Sequence, residues 1–503
     1  MTENAPAPYG EFINRVERLV SLNQVGTHLY WDEQVMMPEG GTPARSRQRS
    51  AVSSLRHELL TDERMETLLN QLDDEELTQT QAANVREVRR EYDEATRLPD
   101  DLTAEMDRAE SAAQPKWRAA REANDYEEFR PALKRVVDLR KKYANHLDSG
   151  SPRFEVLFRS GEFSEPHLDF TVAEHVMERL RDELVPLLDR IRESDTDLSL
   201  DAFDVRIDTE TQMAICRDAL DVLEFDWEHG RFDTGPYHFS SGNPWDSRVT
   251  TQLHEDDWLG GLMRTLHEFG HTVNTWGLPK DQFGTPICSP VSHAMSESQS
   301  RFWENNVGKS KGFWELFLPK LKSRVPQFDD VSVDEAYRAA NRILWDNFVR
   351  YRADELTYHL HVMVRWDVER ELLDGDLDTA DIPGRWDEKM EEYLGIRPDT
   401  LADGCLQDIH WSVGSISSFQ NYTLGSVFAA QLQHAMERDI GDLSDRLAKG
   451  DVDVVQQWLH DNLHRHGSRY PTDELIETAT GEPFTADYFL TYVTDKYERL
   501  YDC

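Results

Sequence analysis

Apolar residues recur at every third or fourth position through most of the chain, the spacing that lines one face of a helix with ~3.6 residues per turn. From 12 to 146 the pattern runs through long charged segments such as 84–97 with few Gly or Pro, and it predicts long antiparallel helices. Within it, Trp31-Asp32-Glu33 followed by Met37-Pro38-Glu39-Gly40-Gly41 reads as a capped helix corner. The stretch 147–169 holds Gly150, Ser151, Pro152, Gly161 and Pro166 and reads as a link to the main body. Helical spacing returns over 172–193, 210–223, 291–306, 333–373, 386–393 and from 427 onward, with stops at Pro383-Gly384 and across 395–398. Only 230–251, GRFDTGPYHFSSGNPWDSRVTT, mixes turn residues with strand-like pieces. The expected class is therefore mainly α with one small β-sheet, and residues 1–503 read as a single domain whose first 147 residues form a helical subregion.

Charge narrows the partners. The net charge is −41, from 96 acidic and 55 basic residues, and Arg far outnumbers Lys. Such a surface repels nucleic acid phosphates and anionic lipid, so neither nucleic acid nor membrane is an expected partner. It suits a halophilic cytoplasm, where a Debye length of ~3 Å at 1 M salt suppresses self-repulsion. Cys216, Cys288, Cys405 and Cys503 show no C-x-x-C spacing and fit a reducing compartment. The start, MTENAPAPYGEF, lacks a basic region followed by an apolar run, and there is no ~18-residue apolar stretch. A cytoplasmic location is expected.

The chemistry concentrates in LMRTLHEFGHTVNTWG at 262–277, where His267, Glu268 and His271 stand in H-E-x-x-H spacing. Positions four apart share a helix face, so both imidazoles can reach one ion, and Glu268 beside that face can deprotonate a metal-bound water. Catalytic zinc needs a third protein ligand. Glu297, 26 residues beyond His271, and Glu304, two turns further on the same face, are both candidates. His359 and His361 lie two apart and read as structural, Gly308-Lys309-Ser310 lacks the earlier Gly of a phosphate loop, and no G-x-S-x-G is present.

Six ordered motifs, WDEQVMMPEGG, DSRVTT, HEFGH, SESQSRFWEN, VRYRAD and GCLQDIHW, make the chain resemble the thermostable carboxypeptidase family of zinc metallopeptidases, typified by carboxypeptidase Taq, over nearly its whole length. The resemblance implies a homodimeric, mostly helical metallocarboxypeptidase with its site at the bottom of a deep groove, 1–147 contributing to the groove wall. Its substrates would be peptides with a free C-terminus. It implies His267, His271 and Glu297 as ligands of zinc, with cobalt as the alternative ion, and Glu268 as the base. Arg350 of VRYRAD would hold the substrate's terminal carboxylate, with Asp354 four residues on as a competing partner, and Arg248 and Gln407 of the neighbouring motifs would join it in binding substrate. His410 and Tyr422 would stand beside the scissile peptide. The chain departs from the family pattern at Ser296, where His is usual, at SSFQNY before Thr423, and around His238. A zinc oligopeptide endopeptidase and an inactive peptide-binding scaffold are the competing readings.

Overall fold

The computed structural model describes residues 6–161 and 163–503 and is built, among those residues, from twenty α-helices and one three-stranded sheet. The first six helices are α1 (Ala7–Val35), α2 (Thr42–Leu60), α3 (Glu63–Leu72), α4 (Gln79–Arg97), α5 (Asp100–Ala123) and α6 (Tyr126–Leu147). Their starts are written locally: Asp62 caps α3, and Thr78 with Gln81 forms a capping box on α4. Tyr9, Phe12, Val16 and Leu19 of α1 bury against Leu68, Leu69, Val85 and Val88, making a small core separate from the main one. The corner after Trp31 is as expected, α1 closing where Met36 and Met37 donate to the Asp32 carbonyl.

The breaker-rich link is more than a connector. It contains α7 (Arg153–Arg159), whose Phe154, Val156, Leu157 and Phe158 are buried in the main core. Next come α8 (Phe170–Arg192) and α9 (Thr209–Val222), then β1 (Gly230–Thr234), β2 (Phe239–Asn243) and β3 (Asp246–Thr251) in the order β1-β3-β2. β3 runs parallel to β1 with Phe232 opposite Val249, and antiparallel to β2 with Ser241 opposite Arg248. The sheet lies on α10 (Trp258–Gly277), where the Thr265 hydroxyl meets that of Thr251 at 3.1 Å.

After α10 the chain forms α11 (His293–Arg301), capped by Ser292, and continues without a break into a π-helical turn, Phe302–Val307. α12 (Lys311–Arg324) and α13 (Val333–Ala340) follow. The helix expected across 333–373 is two helices: α13 ends at Asn341, and α14 (Thr357–Leu373) begins only after an irregular stretch containing the short 3-10 turn Arg350–Arg352. Polar side chains take the backbone groups that helix would have used. The Asp354 carboxylate accepts N–H bonds from Leu344, Leu356 and Thr357 at 2.9–3.1 Å, and the Asn341 carboxamide donates to the Tyr337 and Lys309 carbonyls. α15 (Ile382–Leu394) starts earlier than its apolar spacing suggested because Pro383 sits in the first turn, where its missing N–H costs nothing. α16 (Gln420–Ile440), α17 (Leu443–Lys449), α18 (Val452–Asn462), α19 (Thr472–Thr480) and α20 (Asp487–Tyr501) complete the body. Among the described residues no helix is long and apolar enough to cross a membrane.

Candidate active site and metal centre

α10 and α11 meet at a distance only glycine allows. A Cβ on Gly270 would collide with the Gln299 carbonyl of α11, and one on Gly425 of α16 would fall 2.7 Å from the Glu297 Cβ. α11 is thus clamped from both sides at the residue that carries Glu297. The imidazoles of His267 and His271 stand with centroids 5.1 Å apart on the facing side of α10. His267 Nε2 lies 3.5 Å from Glu297 Oε2 and His271 Nε2 3.7 Å from Glu297 Oε1, and all the possible ligand atoms lie within 4.8 Å of one another. Zinc bonds of ~2.0–2.1 Å in tetrahedral arrangement put ligand atoms roughly 3.3–3.5 Å apart, so the donor set fits the ion.

The remaining ring nitrogens are held by partners that fix the rings. His267 Nδ1 bonds Glu304 Oε2 at 2.9 Å, and His271 Nδ1 bonds the Ser296 hydroxyl at 3.0 Å. Glu304 itself is bonded by Arg301 at 2.9 Å, which with His267 keeps its carboxyl far below the usual range despite burial. Of the two glutamates that spacing left open, Glu297 is therefore the one between the imidazoles and Glu304 supports a ring from behind. The Ser300 hydroxyl donates to Glu297 Oε2 at 2.8 Å. Burial works against the charge on Glu297, yet the His271, His267 and His293 rings and Arg301 bring its carboxyl down to about 2. His293 Nε2 stands 3.7 Å from Glu297 Oε1.

Glu268 is almost fully buried beside this group, and the Ser240 hydroxyl of β2 bonds its carboxylate. Burial, the largest influence, pushes its carboxyl up to about 7. All these groups open on a cavity of about 690 Å³, whose wall also carries Arg350, His410, Tyr422 and His238. Thr27 of α1 lines the same cavity.

Arg350 does not pair with Asp354, whose oxygens are taken by the backbone. Its Nη2 and Nε reach Asp408 at 3.1 and 3.4 Å, and its Nη1 donates to the Tyr358 hydroxyl at 2.8 Å. A guanidinium has five N–H groups, so two remain for a ligand. The rings of Phe419 and Tyr422 face it at 5.0 and 5.4 Å. His410 packs on Phe419 at 4.5 Å, and burial lowers its imidazole to about 4, leaving it neutral at pH 7. Burial raises the Tyr422 phenol above its ordinary value, so it too stays neutral. The SSFQNY segment is well anchored: the Ser417 N–H donates to Glu369 at 2.7 Å and Asn421 to the Phe163 carbonyl at 2.8 Å.

Two expected substrate-binding residues are absent from the cavity wall. Gln407 Oε1 accepts from the Arg350 N–H and from Arg365, while its nitrogen donates to the carbonyls of Phe348, Asp403 and Gly404, so it shapes the turn that carries Arg350. Arg248 spends its guanidinium on Asp246 and stacks on the Trp31 ring at 4.1 Å, tying α1 to the sheet. Glu304, Ser296, Asp408 and Tyr358 are the supporting residues that spacing did not single out as such. Asp408 and Ser296 lie inside recognised motifs, but their partners are remote or belong to another helix. His359 bonds the Thr423 hydroxyl at 3.1 Å and borders the cavity, while His361 is buried away from it.

The family described as Carboxypeptidase Taq (M32) metallopeptidase matches residues 11–497. Thermostable carboxypeptidase 1 of Thermus thermophilus is 35% identical over 98% of this chain and 99% of its own length. Carboxypeptidase 1 of Bacillus subtilis is 30% identical over 98% of each. The crystal structure of the M32 carboxypeptidase from Deinococcus radiodurans, 32% identical, superimposes with a TM-score of 0.94 over 99% of this chain and 100% of that one.

Proposed function

The chain belongs to the carboxypeptidase Taq (M32) metallopeptidase family, and from that premise we propose that it is a zinc carboxypeptidase removing single residues from the free C-termini of peptides. The observation that carries the reading is the convergence of His267, His271 and Glu297 in one cavity with Glu268 and Arg350. Zinc held by those three ligands supplies a Lewis acid that polarises the scissile carbonyl and acidifies the attacking water.

The protein's own groups do the rest. Glu268 takes the proton from the attacking water and gives it to the departing amine, two opposite tasks suited to a carboxyl poised near neutrality. The two unused Arg350 N–H groups hold the terminal carboxylate, a charge-assisted contact worth about 1.5–3 kcal/mol. Neutral His410 and Tyr422 donate to the oxygen on which charge develops. Ser296 sustains His271 through its hydroxyl, which argues against a degraded site. Cobalt is the alternative ion. We further assign residues 1–503 to a single domain, with 1–147 as part of the groove wall, in a homodimer working in a salty cytoplasm.

Mass spectrometry of products from matched peptides in molar KCl tests the reading. A free-acid peptide should lose one residue at a time while its C-terminal amide stays intact. Cleavage inside the chain, or equal attack on the amide, would replace it with the endopeptidase reading.

A further inference from the structure

Four Lys and Arg side chains line the cleft: Arg264, Arg301, Lys309 and Arg350. Three are committed, Arg264 to Asp257, Arg301 to Glu304 and Arg350 to Asp408. Lys309 is different. It is 7% exposed, yet among the described residues its ammonium donates no hydrogen bond and forms no ion pair. Its backbone is fixed just beyond the π-turn, its N–H donating to the Asn305 carbonyl at 3.3 Å and its own carbonyl accepting from Asn341 at 2.9 Å.

The carboxylates nearby are already satisfied. Glu355 accepts from Lys496 at 2.6 Å and from the Tyr492 hydroxyl at 2.7 Å, and Glu304 is held by His267 and Arg301. A buried ammonium without a partner is costly, and a ligand carboxylate would offset that cost. The wall leading to it is continuous with the terminal-carboxylate anchor. Arg350 bonds the Tyr358 hydroxyl, Arg301 stacks over the Tyr358 ring at 4.0 Å, and Glu304 joins Arg301 to His267 beside the metal ligands. A residue spanning from Arg350 to the metal ligands is the C-terminal one, and its side chain meets this stretch of wall.

We propose that Lys309 makes the enzyme select peptides whose C-terminal residue is Glu or Asp, the side-chain carboxylate pairing with its ammonium while Arg350 holds the terminal carboxylate. The inference rests on the carboxypeptidase reading and adds a substrate class to it. The acidic exterior opposes such peptides only at low salt, because exposed charges are screened within ~3 Å at 1 M.

The test compares kcat/KM in molar KCl for two peptides identical except for C-terminal Glu or Gln. The wild-type protein should favour Glu by about tenfold or more, the size of a charge-assisted contact replaced by a neutral one. Lys309→Met should bring the ratio close to one and Lys309→Arg should preserve most of it. Equal rates in the wild type, or an unchanged ratio in Lys309→Met, overturn the proposal. Should Lys309→Met fail to fold, Lys309→Gln and the wild-type ratio decide the matter. Release of both C-terminal residues at equal rates refutes the selectivity alone, whereas release of neither refutes the carboxypeptidase reading with it.

Discussion

Gly425 and Glu297 are packed so closely that a methyl group on the glycine would lie 2.7 Å from the Cβ of the glutamate. The third ligand is therefore positioned by backbone contact between α16 and α11, and its placement depends on a residue with no chemistry of its own. Gly425→Ala should destabilise the fold by about 1–3 kcal/mol through overpacking. It should also weaken zinc binding, and urea unfolding alongside chelator competition would register both losses. Unchanged zinc affinity in a destabilised protein would show that the clamp does not set the ligand.

Ser296→Ala removes the hydroxyl that holds His271 Nδ1 at 3.0 Å. Loss of such a ring partner should cost roughly 10–100-fold in metal affinity. Glu304→Gln should cost at least as much, since it loosens His267 and leaves Arg301 without its carboxylate. Zinc titration against a competing chelator measures both, and equality with the wild type would show that the rings are held by packing alone.

Glu268→Gln keeps the size and most of the contacts of the side chain but cannot accept a proton. Turnover should fall by roughly 10²–10⁴-fold, the range of a lost general base, with zinc content near one ion per chain. Metal analysis on the same preparation separates a chemical defect from an empty site.

Glu87 offers a test of stability against pH. Burial would raise its carboxyl, but His167 at 2.8 Å, Arg86 and Arg90 outweigh it and bring the value down from 4.5 to about 2. The folded state thus binds this proton less readily than the unfolded chain. The contribution, about 3 kcal/mol, is fully present above about pH 4.5 and disappears as pH falls toward 2. Subtracting urea stabilities of Glu87→Gln from those of the wild type should give a difference that shrinks across that window. A difference independent of pH would remove the ion cluster as its cause.

The net charge of −41 makes stability a function of salt. Raising KCl from about 0.1 M to about 2 M should increase the unfolding midpoint by screening self-repulsion. A midpoint that does not move would place the protein among ordinary acidic proteins.

What could be read from residues alone was local. His267 and His271 share a face by helical spacing, and Glu268 follows from it. Glu297 and Glu304 could not be separated that way, because seven residues return a helix almost to the same face. Arg350 shows the limit most clearly. A partner four residues away assumes helix at 350, whereas Asp354 is consumed by the backbone and the real partner, Asp408, comes from 58 residues further along the chain. Arg248 and Gln407 failed as substrate contacts for a related reason: motif membership marks a residue as specified, and their specification is to hold α1 and the 350 turn. The Pro383 start of α15 and the core-forming α7 show that breaker residues mark helix ends without saying on which side the helix lies.

The π-helical turn at Phe302–Val307 amounts to one residue beyond what regular winding would need. Deleting a residue there would restore a regular coil and swing everything beyond it by about 100° around the axis. Glu304 would leave His267, and Lys309 would be carried away from the cleft with it. A single-residue shift in backbone phase therefore controls both the grip on one imidazole and the charge presented to substrate, which makes this short run less tolerant of insertions and deletions than a helix in a solvent-facing bundle.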